Sequence, residues 1–301
     1  MATASEVKSH IGSVNSTKKI TNAMYMISST KLKKAKSELE KTRPYFSMLE
    51  SEIRRLFQTR SDIESPFFYP KSGRKPAETY SYLVITADKG LAGAYNMNVL
   101  RRMEEERERH KKTRIYMVGE YGRRYCKRRN IPIEQSFLYT AQSPTLQRAR
   151  VISSTMLTEY LMKRTDEIRI IYSDMKTDIQ TEVKMMKLLP FERKLFYTPE
   201  ERRTNRDREF RFNPNVDEVI NRVMPSYVAG SVYGALVDSF SAEQNARMTA
   251  MRSASKNADE LLSELKLTYD RLRQAAITQE ITEVAAGARA QRKKKERETL
   301  K

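Results

Sequence analysis

The chain has 301 residues, 39% hydrophobic and 32% charged, with a formal charge of +19. Such a length suggests two domains or one domain plus a long element, and the charge implies an acidic partner. Cys126 is the only cysteine, which excludes an intramolecular disulfide, and His10 and His110 are the only histidines, so no local cluster has zinc-site spacing and a His-based catalytic triad has little to draw on.

No stretch approaches the ~18 to 20 consecutive apolar residues of a membrane span. The N-terminus, "MATASEVKSHIGSVNSTKK", lacks the apolar region of a secretory signal and runs straight into a patterned helix. The expectation is a soluble chain with no leader. Only 9 Gly and 10 Pro leave room for long uninterrupted helices.

Residues 4 to 57 repeat with a 4-3 spacing through Val7, Ile11, Val14, Lys18, Thr21, Tyr25, Ser28, Leu32, Ala35, Leu39, Thr42, Phe46, Leu49, Ile53 and Leu56. A 3.5-residue period is a coiled-coil seam, here apolar at both ends and polar in the middle. At 1.5 Å per residue the helix spans roughly 80 Å, with Pro44 expected to kink it or break its hydrogen bonding locally. A stripe of this kind needs a partner.

The middle of the chain differs in kind. "YSYLVITAD" (80–88), "TRIYMVG" (113–119) and "EIRIIYSD" (167–174) are short β-branched and aromatic runs, separated by helical patterns at about 95–111, 120–129 and 144–165. That alternation predicts βαβ units in a mostly parallel sheet. "TEVKMMKLLP" (181–190) is a candidate edge strand, and "SPFFYPKSGRKP" (65–76) and "YTPEERRTNRDREFRFNP" (197–214) read as mobile connectors.

From Val216 to about Ala290 a helix is expected again, meeting Pro225 early, and it carries the partner seam: Met248, Met251, Ser255, Ala258, Leu262, Leu265, Tyr269, Leu272 and Ala276. Two long helices from opposite ends, each with one seam, form an antiparallel coiled coil most economically. The fold class is therefore α/β plus long helices, with a central Rossmann-like domain inserted between the arms of a coiled coil. Boundaries fall at 1–60 for the first helix, 61–79 for a connector, 80–195 for the α/β domain, 196–214 for a second connector and 215–290 for the last helix. A basic tail, 291–301, follows; residues 287–301 hold seven basic and two acidic side chains, and at least partial disorder is expected from 291 on.

Chemistry is sparse by comparison. "ITADKGLAGAYN" (85–96) runs strand, turn, helix, but its Gly90 and Gly93 fit neither nucleotide fingerprint, so a tight βα turn is the expected reading. "RRMEEERERHKKTR" has opposite charges at helical spacing and reads as a solvated face. Residues 1–57 hold 11 basic and 5 acidic side chains, and the cluster "STKLKKAKSELEK" suits phosphates or an acidic protein loop. It lacks the interleaved aromatics of single-strand binders. Two alternatives stay open on these grounds, a basic coiled-coil scaffold that binds nucleic acid and a nucleotide-dependent α/β enzyme with helical arms.

Four stretches resemble one family. "ITQEITEVAAGARA", "KKITNAMYMISSTKLKKA", "TADKGLAGAYN" and "SAEQNARMTAMRSASKNADELL" occur in the order, and over most of the length, of the γ subunit of F-type ATP synthase. The resemblance implies a rotor shaft without catalytic residues, cofactor or metal. It implies as partners the α and β subunits of the α3β3 ring, the ε subunit and the c-ring, one copy per complex, with no nucleic acid and no direct membrane insertion. It also implies that Lys18, Lys19, Met24, Arg247, Arg273, Gln274, Thr278 and Glu280 contact β or the sleeve around the shaft. Ile277, Ile281 and Val284 then supply an apolar bearing surface on a tip kept slim by Ala275, Ala276, Ala285, Ala286 and Gly287. The dithiol insert of chloroplast relatives is absent, since Cys126 stands alone. The lack of a leader suggests a bacterial chain on the cytoplasmic face of the cell membrane.

Overall fold

A computed structural model describes residues 3–59, 63–69, 77–138, 142–175, 181–196 and 215–299. Helix α1 spans Ala4–Thr59 and α5 spans Val216–Thr299. Between them come β1 (Thr79–Ile85), α2 (Tyr95–Arg109), β2 (Lys112–Val118), α3 (Glu120–Arg128), β3 (Gln135–Phe137), α4 (Leu146–Leu161), β4 (Glu167–Met175) and β5 (Thr181–Leu189). Pro44 and Pro225 sit inside continuous helix, each costing a hydrogen bond without ending its element. The chain divides into two compact units: residues 1–26 with 251–301, and residues 27–250. Each long helix contributes to both, so packing does not divide at the boundaries near 60 and 215.

Residues 27–250 form the α/β unit. Its sheet has the order β3-β2-β1-β4-β5. β1 pairs in parallel with β2 and β4, β2 pairs in parallel with β3, and β5 returns antiparallel to β4. Tyr82 and Val84 point to one face, with Val99, Leu100 and Met103 of α2. Leu83 and Ile85 point to the other, where α1, α4 and α5 supply Ile53, Leu56, Ile152, Met156, Val232 and Leu236. Alternation along β1 thus feeds two cores, one per face.

The connector 65–76 departs from expectation. Phe67 and Phe68 are each only 3% exposed, and Phe68 packs edge-on against Phe57 with ring centroids 4.9 Å apart. Phe67 O accepts from Phe191 N at 2.7 Å, and Phe191 O accepts from Tyr69 N at 3.3 Å. Aromatic burial outweighs the turn signal of the neighbouring Pro and Ser residues: Ile63, Phe67 and Phe68 belong to the core, while Glu64 and Pro66 stay exposed. Residues 70–76 of that connector, and all of 197–214, lie outside the described residues.

A backbone constraint sits where β2 meets α3. Gly119 has φ +96, and a Cβ there would lie 2.2 Å from Thr86 O and 2.8 Å from Ala87 O. Only glycine lets the β2–α3 turn pass so close to the end of β1.

Candidate rotor surface

The unit formed by residues 1–26 and 251–301 is two helices. Three contacts set their register: Lys18 pairs with Asp259, Ser255 Oγ donates to Asn22 Oδ1 at 2.9 Å, and Arg252 Nη2 donates to Tyr25 OH at 3.4 Å. Each advance along α1 is met by an equal retreat along α5, so the pair is antiparallel. Val7, Thr21, Met251, Ala258 and Leu262 are buried, while Ile11, Val14, Leu265, Tyr269 and Leu272 are half-buried. The seam residues that belong to the other unit behave alike, with Ala35 buried and Leu32, Leu39 and Met248 half-buried.

Ala276 breaks this pattern. It is exposed, because α1 begins at Ala4 and the register places that start opposite the turn of α5 near Arg273. Beyond Leu272 every residue of α5 up to Ala290 is exposed. Helix α5 itself continues past Ala290 to Thr299, so the backbone of 291–299 is helical rather than disordered.

The tip is polar in composition but largely self-satisfied. Thr278 Oγ1 donates to Gln274 O at 2.9 Å, Thr282 Oγ1 donates to Thr278 O at 2.7 Å, and Gln279 Nε2 donates to Glu283 Oε1 at 2.9 Å. Hydroxyls bonded to their own helix carry no obligatory outside partner. Among the described residues Arg273 and Glu280 have no ion-pair partner, which leaves them available to a neighbour. Ile277, Ile281 and Val284 are 45%, 64% and 69% exposed and recur at i, i+4 and i+7, one apolar stripe along the tip.

The expected contact residues differ in availability. Lys19 is exposed and Met24 half-buried, whereas Lys18 is engaged by Asp259. Arg247, in the α/β unit, is only 9% exposed: Nη1 lies 2.5 Å from Glu243 Oε1, and Nη2 donates to Gly90 O at 3.2 Å. Burial raises the Glu243 pKa, and the Arg247 charge opposes that rise. Arg247 therefore serves its own chain first. Ile20 and Met26, 60% and 69% exposed, add apolar surface on α1 opposite residues 257 and 251 of α5, away from the tip stripe, and were not singled out from sequence. Their signal was present, as large apolar residues lying off the seam of a charged helix.

One unit is thus a pair of antiparallel helices whose longer member ends bare and apolar-striped, and the other is a doubly wound α/β unit: the chain is a coiled-coil and α/β protein. The ATP synthase family model matches residues 3–291. A gamma chain of ATP synthase from Ruminiclostridium cellulolyticum is 41% identical over 292 residues, covering 95% of this chain and 97% of that one. An Acetobacterium woodii relative, "ATP synthase gamma chain, sodium ion specific", is 35% identical over 298 residues, with coverage of 95% and 97%. Among solved structures, the central stalk and c-ring of the Tetrahymena thermophila mitochondrial ATP synthase contains a similar chain, with a TM-score of 0.59 and 26% identity over 78% of this chain and 99% of that one. The chain belongs to the ATP synthase gamma-chain family.

Proposed function

We infer that this chain is the central rotary shaft of an F-type ATP synthase, a non-catalytic subunit that couples ion flow through a membrane ring to ATP synthesis and hydrolysis in an α3β3 ring. The observation that carries the reading is the exposed end of α5. A single helix with three exposed branched apolar residues has no packing of its own to hold it, and isolated helices gain little from propensity alone. A surrounding protein sleeve supplies the missing contact. The small side chains keep the tip narrow, and the inward-bonded threonines leave few hydrogen bonds to break as it turns.

The α and β subunits form that sleeve, with ε and the c-ring at the other end, one copy of this chain per complex. Lys19, Met24, Arg273, Gln274, Thr278 and Glu280 face β, and the basic surplus of residues 1–57 meets its acidic side chains. Each angular position favours a different β conformation through its own set of contacts, which is how rotation alters nucleotide affinity. The complex is membrane-associated, and this chain is peripheral to the cytoplasmic face. Among the described residues no helix is long and apolar enough to cross a membrane.

The test is reconstitution of the α and β subunits with and without this chain. ATP-driven ion pumping in vesicles that carry the membrane sector should require it, and the purified chain alone should hydrolyse no ATP. Pumping that proceeds without the chain, or its recovery bound to nuclease-sensitive material instead of α and β, contradicts the reading.

A further inference from the structure

Open α/β sheets bind their ligands outside the carboxyl ends of the strands, where the strand order reverses. In this sheet that reversal lies between β1 and β4. The crevice there is filled by the chain itself. Ala87 and Ala92 from the loop after β1, Tyr95 at the start of α2 and Ala242 of α5 form one buried cluster, with Met175 at the end of β4 and Ala246 against it. Small side chains at 242 and 246 let α5 come close to the sheet. The loop that resembles a phosphate cradle therefore embraces a helix.

Polar contacts accompany the fit. Tyr95 OH and Ser239 Oγ are 2.8 Å apart, with Tyr95 4% exposed and Ser239 fully buried. Asn96, also buried, accepts from Ala87 N at 2.9 Å and so braces the loop that carries the cluster. Along α5, Ser239, Ser241, Glu243, Gln244 and Asn245 are all buried, so polar residues are enclosed on several sides of one short stretch. Apolar burial is non-directional. Ala242 and Ala246 resist separation of helix from sheet but do little to stop α5 turning about its own axis. A hydrogen bond has a direction, and the Tyr95–Ser239 bond, with that from Arg247 Nη2 to Gly90 O, adds an angular restraint to the one-sided burial of Val232, Leu236 and Phe240.

We propose that the α/β unit grips α5 through the crevice that sheets of this type use for ligands, and that the Tyr95–Ser239 hydrogen bond is the latch carrying torque between sheet and helix. Its torque role rests on the shaft reading above; the grip does not. Tyr95 acts as a positioning residue. Burial drives its phenol well above the ordinary range, so it keeps its proton and remains able to donate.

The test uses the full chain, then the assembled complex. In Tyr95→Phe, backbone amides of 239–246 should exchange with solvent on the order of fivefold faster, the loss of one buried hydrogen bond. In a Ser239→Ala background the same substitution should add nothing, since the partner is already gone. In the complex, Tyr95→Phe should leave ATP hydrolysis per assembled particle unchanged and lower ions pumped per ATP. A merely structural role lowers the amount of assembled complex and leaves that ratio alone. Unchanged exchange in Tyr95→Phe overturns the latch. Faster exchange with an unchanged pumping ratio overturns its torque role. A wild-type complex that hydrolyses ATP without pumping overturns the shaft reading, while the exchange data still report on the grip.

Discussion

Within the α/β unit, Gly230 and Gly234 lie one turn apart on the same helix and should respond oppositely to one methyl group. A Cβ on Gly234 meets nothing within 4 Å, whereas a Cβ on Gly230 would lie 2.3 Å from Cδ1 and Cε1 of Phe46 and 3.0 Å from its Cγ. The Phe46 ring is confined by Tyr45, 5.1 Å away between centroids, and by Tyr233 at 6.4 Å. Alanine in place of helical glycine gains about 0.4 to 1 kcal/mol from reduced unfolded-state entropy and better helix propensity. Gly234→Ala should keep that gain. Gly230→Ala receives the same gain but must push the ring aside, and overpacking of this kind costs about 1 to 3 kcal/mol. The clash outweighs the propensity, and the two variants should differ by about 1 to 3 kcal/mol. Urea unfolding of the full chain measures it: the Gly234→Ala midpoint should rise and the Gly230→Ala midpoint fall, at similar slope. Adding Phe46→Leu to Gly230→Ala should recover part of the loss. If Gly230→Ala is as stable as Gly234→Ala, α1 does not pack on α5 through Phe46.

Asp238, pressed by burial and by the neighbouring Asp174 charge and partly relieved by Lys184, has its pKa pushed up to about 6. Because the folded value lies above the unfolded one of about 3.9, the ionised carboxylate destabilises the fold. Stability should therefore fall as pH rises from about 4 to 6 and then level off, and Asp238→Asn should flatten that part of the profile; an unaltered profile rejects the assignment. Leu262→Asp places a carboxylate at a buried seam position and should cost several kcal/mol, seen as loss of helical signal at lower temperature, with little change if the seam register is wrong. Met24→Lys adds a cation next to the polar part of the seam and should slow passage through one rotary position, with a contact of about 1 to 3 kcal/mol slowing it roughly 5- to 150-fold. Pumping per ATP should drop more than assembly does, and intact coupling argues against Met24 facing β.

Much of this architecture was legible because its period was. The 3.5-residue seam in residues 7–39 and 248–272 and the alternation in "YSYLVI" are long enough to declare helix pair and strand, and the structure has both. Three-residue β3 is too short to show a period. Phe67 and Phe68 were hidden by flanking turn residues, since composition ranks local propensity above distant aromatic partners such as Phe191 and Phe196. The stretch from Ser241 to Arg247 was legible only as a family motif, and Ser239 lies before it. Its polar side chains give no core signal, and their burial depends on a sheet crevice formed by residues far away in sequence. The small and mixed composition of the tip is plain in the sequence, but the inward turn of Thr278 and Thr282 depends on rotamers that sequence does not encode.

Rotation itself is the most direct test of the central claim. Lys112, exposed at the start of β2, can be replaced in a Lys112→Cys variant to carry a visible marker, while the native Cys126 is buried and its thiol pushed up to about 11, which keeps it unreactive. With the α3β3 ring fixed to a surface and ATP supplied, the marker should turn in one direction with three pauses per revolution, one for each β subunit. Sustained ATP hydrolysis by an assembled complex whose marker stays still contradicts the account.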